Sequence, residues 1–392
     1  MKMIKTNQAS HNKRYVGISV AQINKSSGAV CGDYLLSERS EEATTVILCD
    51  GIGSGIKAHI AAVMCANRIM ELLRLGFSLR QACERVVATM HEARTRDIPF
   101  SAFCVCRMLN DGQAAMISYE MPAAVIAEQS AASLVERRFI TLGSEVIAES
   151  HFHLHTRSCL FLFSDGVTQA GMGRVFKFGW QEEGVVGFIR SACARCMHTE
   201  DMPGMIIDKV RQYSGPTYGD DSTVVLLRCR RAKTVHILTG PPADRQFDRK
   251  VIERFMRLPG SKIICGSTTA DIAARCLGIQ VKNKQISDAY YKPPQYEISG
   301  IDLVTEGVLT LNQACNILGV DPDSYEEDSC VSGFCTLVRS ADAINMIVGT
   351  AVNSGHRNII FRQMGVLPRP VIVQRIAEKL KEMGKLVTVE YL

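Results

Sequence analysis

The chain has 392 residues, 46% of them hydrophobic and 22% charged, which is the balance of a globular protein too long for one ordinary core. A net charge of +5 without any basic tract excludes a nucleic-acid binder. No apolar run reaches the roughly 18 residues of a membrane span, so the expectation is a protein without membrane contact.

The stretch Met1–Tyr15 carries charges but no apolar segment, unlike a secretory signal. The 15 cysteines are an odd number, and Cys49, Cys104, Cys106, Cys159 and Cys265 lie inside apolar runs. That usage suits a reducing compartment, not a disulfide framework, and predicts a cytoplasmic protein.

In chain order, Tyr15–Gln22 alternates as a first strand and Gly32-Asp33 follows as a turn. Thr44–Cys49 is a β-branched, apolar strand that ends on Asp50. Gly51, Gly53 and Gly55 then permit a tight turn. An acid at a strand end beside such a turn is a place where carboxylate and carbonyl oxygens converge on a hard cation. A helix is predicted over Ile56–Leu75, with Ile60, Met64, Ile69 and Leu72 on one apolar stripe, and a second over Leu79–Arg94 with Ser78 as N-cap.

Strands follow at Ala102–Leu109 and Gln113–Tyr119, joined by the hairpin signal Asn110-Asp111-Gly112, then at Ala123–Glu128 and Ser133–Ile140. His151, His153 and His155 alternate along a strand; a zinc site or a polar outer face would both use that spacing, and the lack of an evident partner favours the face. Ser158–Phe163 is a buried strand ending in Ser164-Asp165-Gly166. Gly184–Met197 and Pro203–Tyr213 read as helices, so the Cys193/Cys196 pair is read as structural. Gly219-Asp220-Asp221 precedes the strand Ser222–Arg228.

Acids thus stand at four strand termini in the order GD, CDGIGSGIKAH, SDG and GDDSTVV. This series resembles the metal-dependent protein phosphatases, nearest the bacterial sporulation stage II protein E type, over residues 15 to 230. The resemblance implies an α+β fold, a four-layer α/β/β/α sandwich. It implies two Mn²⁺ or Mg²⁺ ions held by Asp33, Asp50, the Gly51 carbonyl, Asp165 and Asp220, with Asp221 as a supporting residue or in place of Asp220. It implies hydrolysis of phosphoserine or phosphothreonine by metal-activated water, on a phosphorylated regulatory protein such as an anti-sigma-factor antagonist in bacterial signal transduction. Larger relatives carry an upstream arginine that grips the phosphate. None lies between Val16 and Tyr34. Arg14 is the nearest, and Lys57 and His59 follow the glycine turn, where a solvated first helical turn is the simpler reading of both.

A basic junction at Arg228–Lys233 sets the expected boundary between a phosphatase domain, residues 1–231, and a smaller α/β layer domain, residues 232–392. The second part alternates strand and helix: Val235–Leu238, Asp244–Leu258, Lys262–Cys265, Thr268–Leu277, Ile301–Thr305 and Leu311–Leu318, then helices Ala341–Val352 and Pro370–Met383 and a last strand Leu386–Tyr391. Cys330 and Cys335 flank a Ser-Gly turn and are candidates for redox sensitivity. Gly240, and Gly266 with Ser267 and Thr268, lie between strand ends and helix starts, where backbone N–H groups suit an anion; loop chemistry and helix capping explain them equally. A second reading of the whole keeps the phosphatase fold as a scaffold of little or no activity, its C-terminal domain sensing a nucleotide or metabolite. The apolar helices over Ile56–Arg94 serve either a homodimer contact or core packing.

Overall fold

The computed structural model describes residues 14–25, 30–40, 42–53, 55–96, 98–143, 145–215, 219–285, 293–321, 329–351 and 365–392. The readings made above on residues 1–13, and on Val352 as a helix end, lie outside them. Its contacts divide the chain into Asn12–Arg231 and a second unit containing Ala232–Leu392.

In the N-terminal unit, β1 (Arg14–Ile23), β11 (Ser222–Arg231), β10 (Ser158–Phe163), β6 (Val125–Glu128) and β7 (Ala131–Leu134) form one antiparallel sheet in that order. The other sheet runs β2 (Asp33–Arg39), β3 (Ala43–Gly51), β4 (Ser101–Leu109), β5 (Gln113–Tyr119), β9 (Glu145–His153) and β8 (Arg138–Leu142). The period-two geometry of a strand decides the layers. Val46 and Leu48 of β3 meet Leu160, Leu162, Val225 and Leu227 between the sheets. Ile47 and Cys49, on the opposite face, pack under α1 (Gly55–Arg74) and α2 (Leu79–Thr95). Phe161, Phe163 and Leu226 pack under α4 (Gln181–Ala194) and α5 (Met202–Ser214). The result is the expected α/β/β/α sandwich.

Two expectations need correction here. Ser133–Ile140 is not one strand: the chain leaves β7 after Leu134 and resumes as β8 in the other sheet. On α1 the buried stripe is Ala58, Ala62, Cys65, Ala66, Ile69 and Met70. Ile60 and Met64 are 50% and 67% exposed and join Ile56, at 66%, in an outward row four residues apart. Small residues sit where the helix presses on the sheet, so the bulkier ones marked the wrong face.

The C-terminal unit contains β12 (Thr234–Thr239), α6 (Asp248–Arg257), β13 (Ser261–Cys265), α7 (Ser267–Leu277), β14 (Lys282–Gln285), β15 (Gln295–Glu297), β16 (Leu303–Thr305), α8 (Val308–Ile317), α9 (Cys330–Ser340), β17 (Ala343–Val348), α10 (Arg369–Glu382) and β18 (Leu386–Tyr391). The sheet order is β14-β15-β16-β13-β12-β17-β18, with the last five of these parallel. Helices α6 and α7 cover one face through Leu238, Ile264, Val304 and Ile347. Helices α8, α9 and α10 cover the other through Ile237, Ile263, Ile344 and Met346.

The helix expected over Ala341–Val352 is instead strand β17, buried on both faces between β12 and β18. A continuous apolar run of that length has no periodicity to tell strand from helix. Cys330 and Cys335 do not flank a turn; both are buried on α9, whose capping box is Ser329 with Ser332. Burial pushes the Cys335 thiol up to about 11, the opposite of a reactive cysteine.

Candidate metal centre

Backbone register brings the acids together. β2 and β3 pair so that Asp33 lies directly across from Asp50 at the end of the ladder. In the other sheet β10 stops at Phe163 and Asp165 opens the short helix α3 (Asp165–Thr168), while Asp220 and Asp221 lead into the adjoining β11. The two sheets are tied at this end by buried hydroxyls. Thr223 Oγ1 donates to Asp33 Oδ2 at 2.6 Å, and the Thr223 N–H donates to Ser164 Oγ at 2.9 Å. Gln22 Nε2 in turn donates to Thr223 Oγ1 at 2.8 Å.

Gly51 has no room for a side chain. A Cβ there would lie 1.9 Å from the Ala58 carbonyl oxygen, so β3 passes into α1 only through glycine at this point. Gly32 stands beside it, its Cβ position 3.4 Å from the Gly51 carbonyl oxygen and 3.2 Å from Asp221 Oδ2.

The two adjacent acids differ in what they hold. Asp221 accepts the backbone N–H of Lys25 at 2.6 Å on Oδ1 and that of Gly32 at 2.7 Å on Oδ2, so both oxygens organise the loops around Asp33. Asp220 accepts the Asp221 N–H at 2.9 Å on Oδ1, and the same oxygen is 3.8 Å from Lys25 Nζ.

The carboxylates crowd one another. Burial, then the charges of Asp33 and Asp165, push Asp50 up to about 9. Burial pushes Asp33 up to about 7 against the hydrogen bonds from Thr223 and Ser164, and the charges of Asp221 and Asp165 add to the rise. Asp165 is raised as well, chiefly by burial, while Gln169 Nε2 donates to its Oδ2 at 2.7 Å. The charges of Asp50 and Asp165 thus act on one another across the gap between the two sheets. Asp33 Oδ1 is buried without a hydrogen-bond partner. What this donor set lacks is positive charge: an orphaned carboxylate oxygen and mutually repelling acids fit a hard divalent cation with oxygen ligands. As they are placed, no three acidic, imidazole or thiol side chains among the described residues stand close enough to chelate one ion.

The other basic residues take different places. Arg14 lies at the far end of β1, across from Arg231, whereas the acid end of that ladder is Ile23 across from Ser222. Nine residues of strand put it about 30 Å away, where it donates to the Leu154 carbonyl. His59 Nδ1 is 2.8 Å from the Cys31 carbonyl oxygen and its ring meets Tyr34 edge-on, so it braces the turn before Asp33. Lys57 is exposed. Lys25, which reaches Asp220, had no sequence signal: a single lysine in a polar turn is indistinguishable from solvated surface. The acids faced the same ambiguity singly, and only their serial order singled them out.

Gly240, Gly266, Ser267 and Thr268 are in the C-terminal unit, and the last three share one cavity there. The strand β9 carries His151 and His153, with His153 Nδ1 3.2 Å from that of His155; no zinc-binding group occurs among the described residues.

Residues 40–230 match the family model of stage II sporulation protein E. No curated protein matches the sequence. Among solved structures, the phosphatase domain of the cell-fate determinant SpoIIE from Bacillus subtilis aligns at 16% identity over 56% of this chain and 95% of that one, with a TM-score of 0.45. The RsbU and RsbW domains of Rv1364c from Mycobacterium tuberculosis align at 13% identity over 61% and 67%, with a TM-score of 0.46. RsbX in complex with magnesium aligns at 15% identity over 55% and 95%, with a TM-score of 0.40. The family match covers residues 40–230, just under half of the chain. Asp33 precedes the matched segment and is placed by its register against Asp50.

Proposed function

We propose that Asn12–Arg231 is a metal-dependent phosphatase that hydrolyses phosphoserine or phosphothreonine in a regulatory protein. The observation that supports it best is the pairing of Asp33 with Asp50 across one ladder, facing Asp165 and Asp220 from the other sheet. Asp33, Asp50, the Gly51 carbonyl, Asp165 and Asp220 would hold two Mn²⁺ or Mg²⁺ ions. Bound there, the ions would neutralise phosphoryl oxygens and lower the pKa of water enough for direct attack on phosphorus.

The chain's own groups divide the remaining work. Thr223 and Gln169 each hold one carboxylate oxygen, of Asp33 and Asp165, which fixes where the free oxygens point. Asp221 positions rather than ligates, because both of its oxygens already accept backbone N–H groups. Lys25, with its ammonium beside Asp220, supplies the positive charge toward a phosphate that the upstream arginine supplies in larger relatives. The outward row of Ile56, Ile60 and Met64 begins in the first turn after the glycine loop and offers an apolar contact for a folded substrate or a second copy of the chain. An anti-sigma-factor antagonist in a bacterial cytoplasm is the substrate class that best suits this reading.

The test is phosphate release from p-nitrophenyl phosphate and from a phosphoserine protein in Mn²⁺. Turnover should require the metal and fall on the order of a hundredfold or more in Asp50→Asn. The competing reading, a scaffold without activity, is favoured because no three acidic, imidazole or thiol side chains among the described residues stand close enough to chelate one ion. It wins if the wild type binds Mn²⁺ by calorimetry yet releases no phosphate.

A further inference from the structure

Numbered within the C-terminal unit, the parallel strands β16-β13-β12-β17-β18 lie in the order third, second, first, fourth, fifth. The winding reverses between β12 and β17. In open sheets of this kind ligands sit beyond the carboxyl ends of the strands, beside that reversal. A cavity of about 540 Å³ lies there, within the 300–1,000 Å³ usual for small-molecule sites. Its walls are the segments that follow the strands: Pro241 after β12, Ser267 and Thr268 after β13, Gly307 after β16 and Ala351 after β17.

Two groups on its wall each carry one buried polar atom without a hydrogen-bond partner. Asp248 is 5% exposed; its Oδ2 accepts from Arg275 Nη2 at 3.1 Å, while its Oδ1 has no hydrogen bond. Arg369 donates from Nη1 to the Gly349 carbonyl at 3.1 Å, and its buried Nε has no acceptor. An unfilled acceptor and an unfilled donor on one wall are costly unless something fills them.

The loops are fitted closely around Arg369. A Cβ on Gly240 would lie 2.1 Å from its Nη1, and a Cβ on Gly349 would lie 2.0 Å from the Pro241 carbonyl oxygen. The guanidinium is therefore held by backbone and is not a freely moving surface charge.

The lining carries Arg245, Arg275 and Arg369 against Asp248, Asp271 and Glu306. Two of the acids are engaged: Asp248 with Arg275, and Glu306 Oε2 with the Leu309 N–H at 3.1 Å. The eleven-residue helix α7 starts in the wall at Ser267, adding first-turn N–H groups and the positive end of its dipole. A ligand satisfying both kinds of group must carry an anion at one end and hydrogen-bond donors at the other. Among the described residues, no aromatic side chain lines the cavity.

We propose that this cavity binds a phosphate ester of a small hydroxylated molecule, a sugar phosphate or the sugar-phosphate part of a nucleotide. The phosphate lies toward the start of α7 and Arg369, and a hydroxyl donates to Asp248.

The experiment is titration calorimetry on the full chain in EDTA, so that the acidic site contributes no metal-bound phosphate. The probes are inorganic phosphate, ribose 5-phosphate, glucose 6-phosphate, AMP, GMP and UMP. At least one ester should bind one-to-one and about tenfold or more tighter than inorganic phosphate. Thr268→Glu, an exposed change at the start of α7, should abolish binding with an unchanged circular dichroism spectrum. Asp248→Asn should weaken the ester about tenfold and leave inorganic phosphate unaffected. Absence of ester binding at millimolar concentration, or ester binding that survives Thr268→Glu, overturns the site. Phosphate binding as tight as every ester, indifferent to Asp248→Asn, overturns the role given to the hydroxyl.

Discussion

Asp33, Asp50, Asp165 and Asp220 lie at one end of the sandwich with Lys25 beside Asp220, whereas the C-terminal cavity sets three guanidiniums against three carboxylates among the described residues. Both are built where strands stop, because that is where backbone groups are left unpaired and loops can approach. The first is an excess of one sign that burial makes worse; the second is a near-balance with two atoms unfilled. Charge imbalance calls for an ion, and balanced but unmatched groups call for an organic ligand with two ends.

The largest effect should come from the glycines that allow close approach in each half. Gly51→Ala places a Cβ 1.9 Å from the Ala58 carbonyl, and Gly349→Ala places one 2.0 Å from that of Pro241. Each should cost about 3 kcal/mol or more in urea denaturation of its own unit. A loss below about 1 kcal/mol in either would show that the loops there give way easily.

Next is Lys25→Ala. Removing a cation beside the reacting phosphate should lower kcat/KM on the order of tenfold to a hundredfold, with Mn²⁺ affinity kept or raised because Asp220 loses its neighbour. An equal fall in Mn²⁺ affinity would mean that Lys25 only shapes the loop.

The third separates the halves by pH. Asp33 and Asp50 have folded values above the ordinary carboxylate range, so their contribution is complete below about 4 and is lost as pH rises through about 7 and about 9. In chelator, the N-terminal transition should therefore weaken toward alkaline pH, and Mn²⁺ should flatten that slope. In the other unit, burial lowers His236, whose Nε2 is 3.0 Å from the Pro259 carbonyl oxygen. Its contribution is complete above the ordinary imidazole value of about 6.5 and is lost as pH falls toward the depressed folded value. Calorimetric scans of the full chain should show the two transitions moving in opposite directions. Parallel movement would remove the electrostatic contrast drawn here.

The smallest is Thr223→Val, which takes the buried hydroxyl from Asp33 and should cost about 1–3 kcal/mol, read by thermal melting in EDTA.

Much of the architecture was readable because buried strands advertise themselves. Thr44–Cys49 and Ser158–Phe163 are short apolar runs closed by an acid and a glycine, and both strands form there. The same property misled at Ala343–Val348, where a strand covered on both faces has no alternation to distinguish it from a helix. Helix α9 went unseen because its start, Ser329-Cys330-Val331-Ser332, has the composition of a turn, although those serines are a capping box. The sequence reading places Ile60 and Met64 inward because size is taken for burial; at the sheet, close packing selects Ala58, Ala62 and Ala66, while Ile69 and Leu72 are buried as expected. Lys25 and Asp248 depend on contacts with Asp220 and Arg275, distant in sequence, and nothing local marks them.

The direct opposition of Asp33 and Asp50 has a mechanical corollary. Their α-carbons are neighbours across an antiparallel ladder, a spacing of about 4.5–5.5 Å that the pleat imposes. The ladder thus acts as a ruler. Lengthening either acid to glutamate would overshoot the gauge by a methylene, and a one-residue insertion in the loop between β2 and β3 could turn one of the pair toward the opposite face. Chemistry at this end of the molecule is therefore as sensitive to alignment in that hairpin as to the acids themselves.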